Sequence, residues 1–399
     1  MQTQLQPEWL NTPDGQTADT ILRNCVHCGF CLSACPTYGL LGDELDSPRG
    51  RIYLIKSLLE GNDVSRESLS HLDSCLTCRS CETTCPSGVE YGHLLDIGRH
   101  AMEQQVTRPL WQRLMRWGVR KSLTTPWLFN LVVRVMPFLR HSSAIAFSVQ
   151  ELALQQQLAD RADVLASSVL LLKGCVQPAL APNINQASIK VLNKLGWNVI
   201  ETTQSQCCGA LNQHLSAHDD ALAQVKANID AWYPYLQQGV KAIISTASGC
   251  GVMLKDYGHL LRADPIYAEK AQAIAQASKD ISEFLLTQDL SKFTHFDNQT
   301  ITFHSPCTLQ HGQQLQGVVE QALRKLGYRV NPVKDAHLCC GSAGTYSLFN
   351  PTIAKQLRDN KLENLLAHKT DVIVTANIGC LMHLQKGTHV TVKHWIEIL

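Results

Sequence analysis

The 399-residue sequence lacks an excess of charge of either sign, because 35 lysine and arginine residues face 34 aspartate and glutamate residues. Nucleic-acid-binding domains usually carry a clear basic excess, so this balance argues against nucleic acid as a partner. Charged residues make up only 17% of the chain and hydrophobic residues 45%, which excludes a largely disordered protein. The length favours two or three domains rather than one.

Long uninterrupted hydrophobic runs are also missing. The most apolar stretch, residues 126–149, contains Asn130, Arg134 and Arg140, whereas a membrane span needs about 20 nearly uncharged residues. The N-terminal region lacks the basic-then-apolar pattern of a secretion signal. We therefore expect a cytoplasmic protein without a transmembrane helix or signal peptide, in a compartment that keeps cysteines reduced.

A dinucleotide-binding fingerprint is absent as well. Gly249 and Gly251 supply two glycines of a G-x-G-x-x-G motif, but Leu254 stands where the third glycine would be. The chain is therefore not expected to bind FAD or NAD, and no residue is singled out as catalytic.

Cysteine, in contrast, is abundant: sixteen residues fall into four groups of four, with none left over. Their density is well below the roughly 8–10% of short disulfide-stapled secreted chains, so metal binding is the favoured role. The groups are Cys25, Cys28, Cys31 and Cys35; Cys75, Cys78, Cys81 and Cys85; Cys175, Cys207, Cys208 and Cys250; and Cys307, Cys339, Cys340 and Cys380.

The first two groups share the pattern C-x-x-C-x-x-C-x-x-x-C-P, the ligand run of two-cluster bacterial ferredoxins. Three cysteines at this spacing let a tight loop wrap three corners of one iron–sulfur cube. The proline after the fourth cysteine turns the chain, so that this thiolate reaches the other cluster. We predict two [4Fe–4S] clusters, held by Cys25, Cys28, Cys31 and Cys85 (cluster 1) and by Cys75, Cys78, Cys81 and Cys35 (cluster 2). Structural zinc, the alternative, usually takes only four thiolates.

The segment between the two cysteine runs has a helical pattern. Ser47-Pro48 is a helix-start signal before the apolar-periodic residues 52–60. We therefore expect residues 1–103 to form a helical ferredoxin-type domain, followed by a basic helical linker over 104–165.

The third and fourth cysteine groups belong to an internal repeat. Cys175, Cys207 and Cys208 each recur 132 residues later, and Cys250 recurs 130 residues later. Short β-rich runs lead toward the cysteines and alternate with helical stretches, which predicts two parallel α/β units, 166–290 and 296–399. The cysteines of each unit should converge beyond the carboxyl ends of its strands. The expected fold class is thus α+β multidomain.

The two units resemble the cysteine-rich CCG domains of heterodisulfide reductases and related iron–sulfur subunits. Their shared motif is a lone Cys, then Cys-Cys-Gly, then C-x-x-C; here the last element ends in Met253 in the first unit and in His383 in the second. Each unit thus lacks a fifth thiolate. Two interpretations stay open: an additional redox or metal site in these units, with Met253 or His383 as a weak or replacement ligand, or buried cysteines that only pack.

The order of motifs, from CVHCGFCLSACP and CLTCRSCETTCP through TASGCG to PCTLQH, HLCCGSAGTY and TANIGC, resembles the iron–sulfur subunit of glycolate oxidase. This resemblance implies a non-catalytic electron carrier in a complex that oxidises glycolate to glyoxylate. Its partners would be flavin-containing subunits and a quinone or other acceptor. Three alternatives remain: the cluster subunit of a glycerol-3-phosphate or lactate dehydrogenase, a heterodisulfide-reductase-like thiol–disulfide subunit, and a zinc-stabilised interaction module.

The linker has an unusual composition, because residues 104–150 contain seven basic residues, three tryptophans and no acidic residue. This composition suits a surface helix on anionic lipid, a docking face for an acidic partner, or an ordinary linker packed on the ferredoxin domain. Peripheral contact with the cytoplasmic face of a membrane is therefore one expectation. The residues are Arg108, Arg113, Arg116, Arg120, Lys121, Arg134, Arg140, Trp111, Trp117 and Trp127.

Overall fold

The computed structural model describes residues 1–135, 165–293 and 299–399. Most of the second half of the predicted linker, including Arg140, lies outside these ranges. Within them, no helix is both long and apolar enough to cross a membrane.

Residues 1–135 form an all-helical region, as the helix-start signal and apolar periodicity predict. The Ser47 hydroxyl accepts a hydrogen bond from the Gly50 N–H and caps helix α5. The helices are α1 (Pro7–Leu10), α2 (Pro13–Asn24), α3 (Phe30–Ser33), α4 (Pro36–Leu41), α5 (Pro48–Leu59), α6 (Arg66–Asp73), α7 (Ser80–Thr84), α8 (Tyr91–Gln105), α9 (Leu110–Thr124) and α10 (Pro126–Val135).

The core of this region lies between helices α2, α5, α6 and α8. Leu22, Ile55, Leu72 and Leu94 are fully buried there. Helices α5 and α8 approach closely at Gly98, where an added Cβ would come within 2.5 Å of the Ile55 side chain. This packing fixes the two loops that carry the first eight cysteines.

The remaining described residues form two α/β units, each with a four-stranded parallel sheet. The strand orders are β2-β1-β3-β4 and β6-β5-β7-β8, so the sequence repeat is also a repeat of topology. The strands are β1 (Ser168–Leu171), β2 (Asn198–Ile200), β3 (Ile243–Ser245), β4 (Ser278–Asp280), β5 (Thr300–His304), β6 (Arg329–Asn331), β7 (Val372–Thr375) and β8 (Val392–His394).

Helices flank both sheets. In the first unit they are α11 (Gln177–Leu180), α12 (Pro182–Lys194), α13 (Ala210–His214), α14 (His218–Gln237), α15 (Ser248–Lys255), α16 (Tyr257–Leu260), α17 (Ala268–Ala277) and α18 (Ile281–Leu286). In the second they are α19 (Val318–Lys325), α20 (Tyr346–Phe349), α21 (Pro351–Leu365) and α22 (Ile378–Gln385). The predicted fold class is confirmed, whereas the domain boundaries stay predictions.

The central strands of both sheets are buried along their whole length. All four residues of β1 and of β7 are buried, which explains their nearly continuous apolar sequences. Strand β1 pairs with β3 through Leu170 and Ile243, and β5 pairs with β7 through Ile301 and Val372. One hydrophobic core contains residues of both units, so the two repeats pack against each other.

The helical region docks on the first α/β unit through partly buried charged and aromatic side chains. Arg79, immediately before α7, donates to the Asp256 carboxylate at 2.5 Å. The rings of His93 and His259 stack with centroids 3.8 Å apart. Burial alone would raise the pKa of Asp256, but Arg79 and His93 lower it below its usual range. The contact therefore depends on an ionised Asp256.

We predict that Asp256→Asn lowers the free energy of unfolding by about 2–3 kcal/mol, because it leaves the Arg79 charge poorly solvated and without its partner. Asp359→Asn is the matched control, since Asp359 pairs with Lys355 on the surface and its loss should cost less than about 1 kcal/mol. Urea unfolding under anaerobic conditions measures both. Equal losses in the two variants would contradict the proposed importance of this contact.

Candidate redox centres

The first ligand set predicted from the sequence lines one small cavity beneath the N-terminal run. Cys25, Cys28, Cys31 and Cys85 all border it, and so does Cys81, which also lines the neighbouring cavity. Burial, together with the charges of Cys25, Cys28 and Cys85, raises the pKa of Cys31 to about 11. The four thiols are thus close enough to repel one another as anions, which is the arrangement that a cationic metal centre stabilises.

The second predicted set lines a neighbouring cavity. Cys35 reaches it from the first run and joins Cys75, Cys78 and Cys81. Burial raises the pKa of Cys81, and the charges of Cys78, Cys75 and Cys35 raise it further. The structure therefore brings together both sets that the spacing predicted, including the exchange of the fourth cysteine. The assignment of each cysteine to a cluster stays a prediction.

Both runs adopt the same backbone path. His27 and Gly29 in the first run, and Thr77 and Arg79 in the second, have positive φ angles between 50° and 86°. These left-handed residues tighten each loop around its cavity and turn backbone N–H groups toward sulfur. The Thr77 N–H lies 3.4 Å from the Cys75 sulfur.

Two residues beside the second cavity were not identified by sequence reasoning. Arg51, only 1% exposed, donates to the Asp46 carboxylate at 3.1 Å and lies 4.0 Å from the Cys35 sulfur. The Tyr91 hydroxyl lies 3.8 Å from the Cys75 sulfur. A buried guanidinium and a hydroxyl at these positions stabilise negative charge on the thiolates. Arg51 was visible in the sequence only as part of a helix start.

The four cysteines of the first α/β unit converge at the carboxyl ends of its strands. The sulfurs of Cys175 and Cys207 are 3.4 Å apart. Hydrogen bonds with Cys207 and Cys250, together with burial, raise the pKa of Cys208.

The second unit repeats this arrangement around Cys307, Cys339, Cys340 and Cys380. The sulfurs of Cys307 and Cys339 are 3.7 Å apart, and all four cysteines are buried. A ring nitrogen of His304 and the sulfurs of Cys340 and Cys380 lie within 4.8 Å of one another. His304 was not among the residues singled out from the sequence, because it is one of sixteen histidines and has no motif of its own.

The glycine of each Cys-Cys-Gly motif is required by backbone geometry. Gly209 and Gly341 have φ angles of 94° and 87°, and an added Cβ on Gly341 would come within 2.6 Å of the Ala354 carbonyl oxygen. Met253 is buried in the apolar cluster that contains Cys207 and Cys208. His383 places its Nε2 3.1 Å from that Ala354 oxygen, so this nitrogen has a partner other than a metal.

A larger cavity of about 790 Å³ joins three of the cysteine groups. It is bordered by both α/β units, by helices α9 and α10, and by Cys75 and Cys78 of the second run. Cys78, Cys307 and Cys339 also belong to one buried apolar cluster together with Leu76 and Tyr346. The second run therefore faces the α/β units, whereas Cys28 of the first run is exposed.

Three basic residues of α9 form ion pairs with carboxylates of the described chain. Arg116 donates to Glu103 at 3.2 Å, and Arg120 and Lys121 contact the Asp220 carboxylate at 2.9 and 3.0 Å. Of the three interpretations of the linker, these ion pairs favour a linker packed on the rest of the chain over free charge that attracts lipid or an acidic partner. Their carboxylate partners are distant in sequence or lie just before the segment, so composition alone did not reveal them.

Two known domain families match the chain. The 4Fe-4S dicluster domain matches residues 21–89, and the cysteine-rich domain matches residues 169–255 and 301–385. The dicluster match confirms the prediction of iron–sulfur clusters and argues against a zinc-stabilised interaction module.

Whole-chain relatives agree with these matches. The glycolate oxidase iron-sulfur subunit of Escherichia coli (strain K12) is 48% identical, over 100% of this chain and 98% of its own. The probable glycolate oxidase iron-sulfur subunit of Bacillus subtilis (strain 168) is 32% identical, over 92% of this chain and 89% of its own. Lactate utilization protein A of an Exiguobacterium species is 27% identical, over 96% of its own length but only 58% of this chain.

We predict that Cys28→Ser and Cys78→Ser each remove one cluster, because each replaces a thiolate of a different set. Anaerobically prepared protein should lose about four of the eight irons of its N-terminal region in either variant. Iron analysis and low-temperature EPR of the reduced protein measure the loss. Ser74→Ala, next to Cys75, is the control and should keep all eight irons; stoichiometric zinc in the unaltered protein would refute the assignment.

Proposed function

The chain belongs to the family of glycolate oxidase iron–sulfur subunits, and from this premise we propose that it carries electrons from glycolate oxidation within a complex. Bound [4Fe–4S] clusters supply one-electron oxidation–reduction chemistry. The chain itself contributes the thiolates, the buried Arg51 and a fixed orientation of the two runs. A flavin-containing partner subunit would oxidise glycolate to glyoxylate, and a quinone or other carrier would accept the electrons.

The observation that carries this proposal is the opposite placement of the two cysteine runs. Cys28 in the first run is exposed, whereas Cys78 in the second is buried against Cys307. The chain thus has one side where a partner can approach and an inner side that leads to the α/β units. We infer that electrons enter beside the first run and move toward the second.

The substrate is tested with the anaerobically purified complex. Addition of glycolate should bleach the visible absorption of the clusters and produce the EPR signals of the reduced state. Lactate and glycerol-3-phosphate are the comparison substrates. Reduction by either of them, without reduction by glycolate, would favour the corresponding alternative dehydrogenase.

A thiol–disulfide activity of the cysteine-rich units is the second candidate function, because the paired sulfurs of Cys175 and Cys207 are close to each other. The isolated full-length chain is the material for this test. If the chain reduces a disulfide substrate, and if the rate falls in Cys207→Ala, the result would support a thiol–disulfide activity.

The surface around the first run is our candidate for partner docking. We define the cluster 1 patch as Val26, Cys28, Phe30 and Tyr53, all of which are exposed. Val26 is 67% exposed and Phe30 61%, so both apolar side chains are accessible to a partner. A flavin-containing subunit seated here would lie next to the outer ligand Cys28.

We predict that Val26→Ser together with Phe30→Ala weakens binding of the flavin-containing subunits about tenfold, because apolar and aromatic side chains contribute most at interface centres. Ile266→Ser is the matched control, since Ile266 is also 67% exposed but lies in the first α/β unit. Anaerobic pull-down with quantified subunits measures the effect. Equal weakening by the control would show that the patch has no special role.

The outer face of α9 and α10 is our candidate for peripheral membrane contact. We define this apolar face as Leu110, Trp111, Leu114, Trp117 and Trp127, each more than half exposed. Trp111 also borders the large cavity, so the face adjoins the inner redox region. Apolar and tryptophan side chains of this kind insert at the level of lipid headgroups.

We predict that replacing Leu110, Leu114 and Trp117 with serine reduces co-sedimentation with anionic vesicles. Binding of the unaltered protein should depend little on salt, because insertion rather than charge drives it. Arg120→Gln is the control and should bind as the unaltered protein does, since Arg120 pairs with Asp220. Unchanged vesicle binding with loss of the flavin-containing subunits would instead identify this face as a subunit interface.

A further inference from the structure

The two α/β units carry the same four cysteines but differ in the residues beside them. His304 ends strand β5, three residues before Cys307. The same position in the first unit, three residues before Cys175, is Leu172. Lys361 is similarly buried in the second unit, with its ammonium close enough to Cys340 for their charges to interact. At the 132-residue spacing of the repeat, the first unit has Ile229 there.

His304 is held in a fixed orientation inside the protein. The side chain is 2% exposed, and its Nδ1 lies 2.9 Å from the Thr375 hydroxyl on the adjacent strand β7. The other ring nitrogen, Nε2, is buried and has no hydrogen-bond partner. A buried polar nitrogen without a partner is costly, so its presence requires an explanation.

We propose that the second α/β unit binds a metal ion through the imidazole of His304 and the thiolates of Cys340 and Cys380. The three donor groups lie within 4.8 Å of one another, so one ion can contact them all. Because Nδ1 shares a hydrogen bond with the Thr375 hydroxyl, we take the unpartnered Nε2 as the ligating nitrogen.

The donor set identifies the class of metal. Mixed imidazole and thiolate ligands suit Zn²⁺ or Fe²⁺, and Cys307 or Cys339 is near enough in the same cysteine group to complete a four-coordinate site. The buried ammonium of Lys361 offsets the negative charge of several thiolates around one divalent ion. The first unit lacks both His304 and Lys361 equivalents, so the two units have different metal-binding properties.

The test is the metal content of the full chain after anaerobic reconstitution with Fe²⁺ and sulfide, with and without Zn²⁺. We expect His304→Ala to lose about one metal equivalent per chain, whereas His383→Ala, in the same unit, loses none. The arm with Zn²⁺ separates zinc from iron as the bound ion. X-ray absorption at the edge of that metal should show nitrogen among its ligands.

The variant His304→Cys distinguishes the loss of a metal ligand from a folding defect. It should keep the metal while the nitrogen contribution to the X-ray absorption disappears. The EPR signals of the N-terminal clusters should be unchanged in all variants, so failure here is distinguishable from failure of the electron-transfer proposal. Full metal retention in His304→Ala, equal loss in His383→Ala, or no metal beyond the N-terminal irons in the unaltered chain would overturn the proposal.

Discussion

The arrangement of this protein depends on the contact between the second cysteine run and the second α/β unit. Leu76 and Cys78 lie in one buried cluster with Cys307, Cys339 and Tyr346. The two runs lie close together, and with the second run seated inward, Cys28 of the first run stays exposed. The inner cavity and the direction proposed for electron movement both relate to this contact.

Charged side chains form a second contact, between the helical region and the first α/β unit. The Arg79–Asp256 pair and the stacked His93 and His259 rings tie α7 and α8 to the segment after α15. Arg79 itself occupies a left-handed position of the second run. The residue that shapes the cysteine loop therefore also anchors the helical region, so loop geometry and domain orientation are coupled.

Local sequence signals predicted the fold class correctly. The spacing of cysteines indicated which thiols converge, and the alternation of short apolar runs with helical segments indicated two parallel sheets. Residues that act through tertiary proximity were missed. Arg51 contacts Cys35 from another helix, and His304 meets Cys340 and Cys380 only after β5 and β7 pair.

The linker shows that a local signal can be incomplete. A segment rich in arginine and poor in acidic residues suggests free positive charge by its composition. In the structure, carboxylates of α6, α8 and α14 form ion pairs with arginines of this segment. The apolar side chains of the segment face outward. Composition describes a segment's own residues but not the partners that folding brings to it.

The exchange of the fourth cysteine between the runs has a consequence for assembly. Cys85 borders the cavity of the first run, and Cys35 borders that of the second. With the proposed ligands, each cluster would bind cysteines of both runs. The helices between the runs would therefore be cross-linked at both ends. Such closure removes conformational entropy from the unfolded chain, much as a disulfide does. Neither centre could then be completed before the chain had been synthesised through residue 85, and damage at the exposed outer centre would loosen the inner one.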